Sequence, residues 1–122
     1  HYTHVAGNKI AIEWPRGCSY WLLPKVVKLC KLYDLQFVDF DGCMLGLTSI
    51  YDGKPIKKPW RIATNDAVIA KAFEGFLCQG HAEHHPCAGK DTKLTENYTP
   101  LFVDMLHNAF RRSVNDSMKH SN

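Results

Sequence analysis

The segment Cys78-Gln79-Gly80-His81-Ala82-Glu83-His84-His85-Pro86-Cys87 sets two thiols and three imidazoles within one short stretch of chain. Thiolate and imidazole are the donors that zinc takes in a four-coordinate, tetrahedral shell. Gly80 and Pro86 allow the turns that let such donors converge. Histidines alone in a polar loop read as solvated, but two bracketing cysteines at short spacing point to a metal. A further donor can come from elsewhere in the chain, and Cys43 is the best placed. It follows Asp41-Gly42, a turn just after an expected strand. The expected ligand set is therefore Cys43, Cys78, His84 and Cys87, with His81 or His85 as alternates for His84 or Cys43. A closed Cys3His set is structural, whereas catalytic zinc keeps a position open for water. Glu83 could serve as a base beside a catalytic zinc, but three thiolates saturate the ion. His81-Ala82-Glu83 and Pro86-Cys87 echo the zinc deaminase pattern, yet they lie too close together and lack its final cysteine.

The elements that must position these donors follow from periodicity. Lys9 to Glu13 reads as a short strand, with His1 to Gly7 as a lead-in. Pro15-Arg16-Gly17 turns the chain. Ser19 can cap the next element, and Pro24 suits a first helical turn. Val26, Val27, Leu29, Cys30 and Tyr33 then give one apolar face of a helix. Leu35 to Phe40 alternates as a second strand, Met44 to Tyr51 as a third, and Trp60 to Ala63 as a fourth. Thr64 or Asn65 can cap a helix running to about Phe76, with Val68, Ile69, Ala72, Phe73 and Phe76 inward. Thr99-Pro100 caps a last helix whose stripe is Leu101, Phe102, Met105, Leu106, Ala109 and Phe110. The expected fold is α/β: a small mixed sheet of about four strands with three helices, stapled by a structural zinc site.

A chain of 122 residues with ordinary apolar content suits one domain. Its expected core is 7–114, with flexible ends at 1–6 and 115–122. A formal net charge of +3 permits contact with nucleic acid without demanding it. No apolar run is long enough to cross a membrane. The start at His1 reads as a piece of a longer protein. Five cysteines cannot form a closed set of disulfides, and Cys30 sits among apolar helix positions as a small hydrophobe. That usage fits a reducing, intracellular compartment, cytoplasmic or nuclear, with a metal site. Asn97-Tyr98-Thr99 and Asn115-Asp116-Ser117 match the glycosylation acceptor pattern and argue the other way.

Glu13 stands at the carboxyl end of the first strand, the edge at which open α/β sheets bind ligands. It is a candidate functional acid, with a solvated strand end as the plainer reading. Lys54-Pro55-Ile56-Lys57-Lys58-Pro59-Trp60-Arg61 is basic with one aromatic. Lys57, Lys58 and Arg61 could contact phosphates while Trp60 stacks a base. The plainer reading is a solvated hairpin with Trp60 half-buried. Arg111 and Arg112 complement the dipole at the end of the last helix and need no partner.

Four stretches carry a resemblance: Ile12-Glu13-Trp14-Pro15-Arg16-Gly17-Cys18-Ser19-Tyr20-Trp21, Asp41-Gly42-Cys43-Met44-Leu45-Gly46-Leu47, Lys58-Pro59-Trp60-Arg61-Ile62-Ala63-Thr64, and the Cys/His segment with Tyr98-Thr99. Together they resemble a domain of retrotransposon-like polyproteins from marine animals and protists. That domain is in turn distantly similar to the C-terminal half of cytosine-C5 DNA methyltransferases. The resemblance implies that Glu13 matches the glutamate that holds the target cytosine, and that Lys58 and Arg61 match a basic strand near the base. Trp14 stands where those enzymes have asparagine. The glycine-rich cofactor motif and the Pro-Cys nucleophile of the first half do not occur before Glu13, and Cys18 is not in the nucleophile's motif. The resemblance therefore implies half a site, inactive alone, with DNA, RNA or other polyprotein segments as partners. The competing expectation is a zinc-stabilised protein-interaction module without catalysis, presenting Trp14, Trp21 and Trp60.

Overall fold

Ile10, Ala11, Ile12 and Glu13 are four consecutive buried residues, which in a strand means that both faces are covered. The computed structural model, which describes residues 2–6, 8–78 and 98–120, builds the fold around that strand. Its sheet comprises β1 (Tyr2–Ala6), β2 (Lys9–Pro15), β3 (Gln36–Asp41) and β4 (Pro59–Thr64). The helices are α1 (Pro24–Leu32), α2 (Ala67–Phe73) and α3 (Pro100–His120). Short 3-10 turns at Ser19–Leu22 and Gly42–Leu45 lead out of β2 and β3.

The strand order is β1-β2-β4-β3, and every pairing is antiparallel. The mixed sheet expected from the sequence is thereby corrected. β2 and β3, linked through α1, do run in the same direction, but β4 inserts between them and opposes both. Tyr2–Ala6 is a strand where the sequence reads as a lead-in. The expected strand over Met44–Tyr51 is absent. Gly42–Leu45 coils instead, Gly46 takes a left-handed φ of 85°, and only an isolated bridge, Thr48 to Pro55, remains.

Two apolar layers sandwich the sheet. On one face Phe40, Trp60 and Ile62 pack under Ile69 and Phe73 of α2 and Phe102, Leu106 and Ala109 of α3. On the other, Ile10, Ile12 and Ala63 meet Trp21, with Val26, Leu29 and Cys30 of α1 packed against them. Ring centroids of Phe40, Phe73, Trp60, Tyr98 and Phe102 lie 4.7–6.1 Å apart in the larger layer. Aromatic pairs at such spacing each add about 0.5–1.5 kcal/mol beyond the area they bury.

The caps fix the helices. Thr99 caps α3: its Oγ1 accepts from the Phe102 N–H at 3.2 Å and donates to the Leu45 carbonyl at 2.7 Å. Asp66, rather than Thr64 or Asn65, caps α2, accepting from Val68 N at 3.0 Å. The alternatives are already engaged, since Thr64 Oγ1 donates to Ile10 O and the Asn65 side chain bonds Ile10 N and Asn8 O. α2 stops at Phe73 because Gly75 turns the chain with φ 87°. Ser113 Oγ donates to Asp66 Oδ2 and ties α3 to the start of α2. Ser19 does not cap α1, whose first turn is set by Pro24. α3 continues to His120, beyond the expected core end at 114.

Candidate functional site

The carboxyl ends of β2 and β3 and the start of β4 meet at one end of the sheet, as the pairs Glu13–Ile62, Asp39–Arg61 and Phe40–Trp60 require. This register gathers candidate residues that are far apart in sequence. Cys43 lies on the turn after β3 and is buried. Cys78 comes from the segment after α2, and the two thiols are joined by a side-chain hydrogen bond. Asp41, the last residue of β3, holds this arrangement. Its Oδ2 accepts the Cys78 N–H at 2.8 Å, its own N–H donates to Phe76 O at 2.9 Å, and its Oδ1 faces Arg16 Nη2 at 3.4 Å. Burial pushes the Cys43 thiol up to about 11, with the neighbouring Cys78 thiol and the Asp41 charge adding to the effect.

His81, His84, His85 and Cys87 lie outside the described residues. Among the described residues no group of three or more His, Cys, Asp or Glu could hold a metal ion. Cys43 and Cys78 are thus the part of the expected ligand set that the structure brings together.

Glu13 points into the larger apolar layer and is only 2 % exposed. Its Oε2 has no hydrogen-bond partner among the described residues. Burial raises its pKa above the usual carboxylate value, and the Tyr98 hydroxyl and the Lys58 charge pull it partly back. A solvated strand end is therefore not what the structure holds: Glu13 is a buried acid beside a phenol.

The basic segment divides. Trp60 is 2 % exposed, its ring enclosed by Phe40, Tyr98 and Phe102. The expectation that it stacks a base is corrected, because neither face of the ring is open. Arg61, its neighbour on the strand, points to the opposite side of the sheet. It binds Asp39 through Nε at 2.7 Å and Nη2 at 3.2 Å and lies over the Phe37 ring at 4.6 Å. Arg16 approaches the same Asp39 at 3.5 Å. Lys57 is exposed and Lys58 half-buried. Trp21 is buried, donating its Nε1–H to Pro15 O at 2.9 Å, and Trp14 is half-buried against it.

Asp41, Asp39, Arg16 and Tyr98 do not stand out in the sequence reading. Asp41 reads there as a turn former, and only its position two residues before Cys43 hints at the clamp. Compared with family models, with curated proteins and with solved structures, the chain matches none.

Proposed function

We propose that the chain is a zinc-stapled α/β domain of a mobile-element polyprotein, methyltransferase-like in ancestry, that works next to nucleic acid inside the cell and is inactive alone. The contact between the Cys43 and Cys78 thiols carries the metal reading. Two cysteines separated by a strand, a helix and a long loop, Cys43 buried and Cys78 half-buried, converge on one point beside Asp41. Cys78 opens the segment that contains His84 and Cys87, so those two donors, with His81 or His85 as alternates, complete a Cys3His set. Zinc there acts as a staple between the end of β3 and the chain leading to α3. The nucleic-acid part of the reading now rests on Lys57, Lys58 and Arg61, without Trp60. Among the described residues no helix is long and apolar enough to cross a membrane.

Elemental analysis of protein purified without chelators tests the staple, with one zinc per chain expected. Strong chelation should lower the melting temperature steeply, since metal binding in small zinc domains supplies folding free energy on the order of 10 kcal/mol. Cys43→Ser and Cys78→Ser should each lose zinc, while Cys18→Ser keeps it. Metal-free protein would sink the reading. Turnover or tight S-adenosylmethionine binding by this chain alone would remove the claim that it is inactive.

A second reading, a zinc-stabilised interaction module without catalysis, is favoured by apolar side chains left at the surface around α1. Leu22 is 81 % and Leu32 74 % exposed, with Tyr20 and Leu23 also open. A low-salt titration separates the two: binding to DNA or RNA that weakens steeply with salt supports the first reading, and no binding to either supports the second.

A further inference from the structure

We infer that the outer side of α1, with the turn that leads into it, lies on the surface of an anionic lipid bilayer. The inference rests on the interaction-module reading and names the partner. The turn Ser19–Leu22 and α1 stand over the smaller apolar layer, toward which the helix directs Val26, Leu29 and Cys30. Lys25, Lys28 and Leu32 follow at spacings of three and four, so they share the side of the helix away from the sheet, with Lys31 next to them. All four are exposed. Leu22 and Leu32 are the most exposed large apolar side chains among the described residues, and Tyr20 and Leu23, which flank Leu22 in the chain, are open too. From Trp14 to Tyr33 the chain has four basic residues and no acid. Among the described residues no ion pair holds Lys25, Lys28 or Lys31.

Charge and spacing together identify the partner. Uncovered apolar side chains gathered along one helix and its lead-in mark a contact surface. The cores of protein interfaces are depleted of lysine, and here Lys25 and Lys28 lie between Leu22 and Leu32, so no lysine-free apolar centre exists. A bilayer suits that interleaving. Leucine and tyrosine side chains enter the boundary between headgroups and acyl chains, while lysines reach back along their stems to the phosphates. Lying on a bilayer in this way needs no spanning segment. Nucleic acid would engage the lysines and leave Leu22 and Leu32 in water. Residues 79–97 of the chain are not the cover, because Leu94 is their one large apolar residue. They also leave the fold at Cys78 beside Asp41 and rejoin it at Tyr98, which packs in the layer on the opposite face of the sheet from α1. A second copy docked by the same face would set lysines against lysines, and it carries the same net charge of +3.

Co-sedimentation of the full chain with vesicles tests the inference, using phosphatidylcholine alone and phosphatidylcholine mixed three to one with phosphatidylserine. The chain should pellet with the mixed vesicles at low salt, bind phosphatidylcholine far more weakly, and be released as salt rises. A lysine beside an anionic surface contributes about fivefold in affinity, so changing Lys25, Lys28 and Lys31 together to glutamine should weaken binding about 100-fold. Leu22→Asn with Leu32→Asn keeps the charge and should weaken binding about tenfold or more, because insertion is lost. Both variants should melt at the parent's temperature, since every side chain changed is exposed. The inference is overturned by equal binding to the two vesicle types, by no binding to the mixed vesicles at low salt, or by a leucine variant that binds like the parent. A chain that ignores vesicles but binds DNA or RNA through the three lysines overturns it in favour of nucleic acid. Self-association of the parent that the leucine variant abolishes overturns it in favour of a second copy. Failure with vesicles alone leaves the interaction-module reading in place, because that reading falls with the nucleic-acid titration and the zinc analysis instead.

Discussion

Trp60→Ala separates a structural tryptophan from a base-stacking one. The side chain is enclosed at 2 % exposure, with ring centroids of Phe40, Phe102 and Tyr98 at 5.5, 5.6 and 6.1 Å. Its removal opens a cavity beneath α3 that rigid β4 and the neighbouring rings fill only in part. Truncation of a buried Trp or Phe costs about 3–5 kcal/mol, a large share of the ~5–15 kcal/mol that holds a typical domain together. At about 3–6 °C per kcal/mol for a chain of this size, the midpoint should fall by roughly 10–30 °C. Thermal and urea unfolding followed by far-ultraviolet circular dichroism reads this directly. Binding to single-stranded DNA at low salt, measured well below the variant's midpoint, should be unchanged per folded molecule. A variant that melts within about 2 °C of the parent and loses affinity would refute the burial argument and restore Trp60 as a stacking residue.

Glu13→Gln should raise stability at neutral pH. Burial raises the folded-state pKa above the unfolded value of 4.5, so Glu13 is tolerated best when protonated. Its favourable contribution is complete below the unfolded pKa and is lost as pH rises through the folded pKa. The gain from glutamine should therefore be near zero at pH 4, grow upward from there, and then level off. Urea midpoints across that range check it, and a variant destabilised more at pH 7 than at pH 4 would contradict the direction. Gly42→Ala should cost about 1–3 kcal/mol by overpacking, because a Cβ there would sit 2.7 Å from Leu47 Cδ2 and 3.3 Å from Leu47 Cβ. The same substitution should weaken metal retention, since Gly42 precedes Cys43. An alanine variant with parental stability would mean that Leu47 moves freely.

How much of this was legible in the sequence varies with the kind of signal. The Asp41-Gly42 turn places Cys43 at a strand end, which is legible, whereas its meeting with Cys78 depends on the bonds of Asp41 to Phe76 and Cys78. Thr99-Pro100 gives the start of α3 for the same reason: cap chemistry is local. Trp60 misleads because its flanks are basic, although Trp60, Ile62 and Thr64 recur with a period of two and Arg61 falls between them. That alternation puts the tryptophan inside and the arginine on the opposite face. The Thr64, Asn65, Asp66 cluster offers three capping candidates. Only the tertiary bonds that Thr64 and Asn65 make to Ile10 leave the cap to Asp66. Strand β1 is polar and weakly patterned, so its place depends on pairing with β2, which a window-based reading does not see. Antiparallel pairing of β4 with both neighbours is likewise a property of the sheet rather than of any segment.

The position of β4 at the centre of the sheet also shapes the birth of the protein. Its partners, β2 and β3, are both made before it, with Glu13 waiting for Ile62 and Phe40 for Trp60. At a synthesis rate of about 5–20 residues per second, several seconds separate the emergence of β2 from that of β4. In that interval β3 has no partner in the sheet, although α1 is already made and can pack on one face of the β1–β2 hairpin. A two-stranded hairpin is marginal in water, and Phe40 remains uncovered, because Trp60, Phe73 and Phe102, which pack against it, are still to come. Chains stalled before Pro59 should thus be ready clients for chaperones that bind exposed aliphatic strands, whereas the sheet can close in a single step once Thr64 has cleared the ribosome.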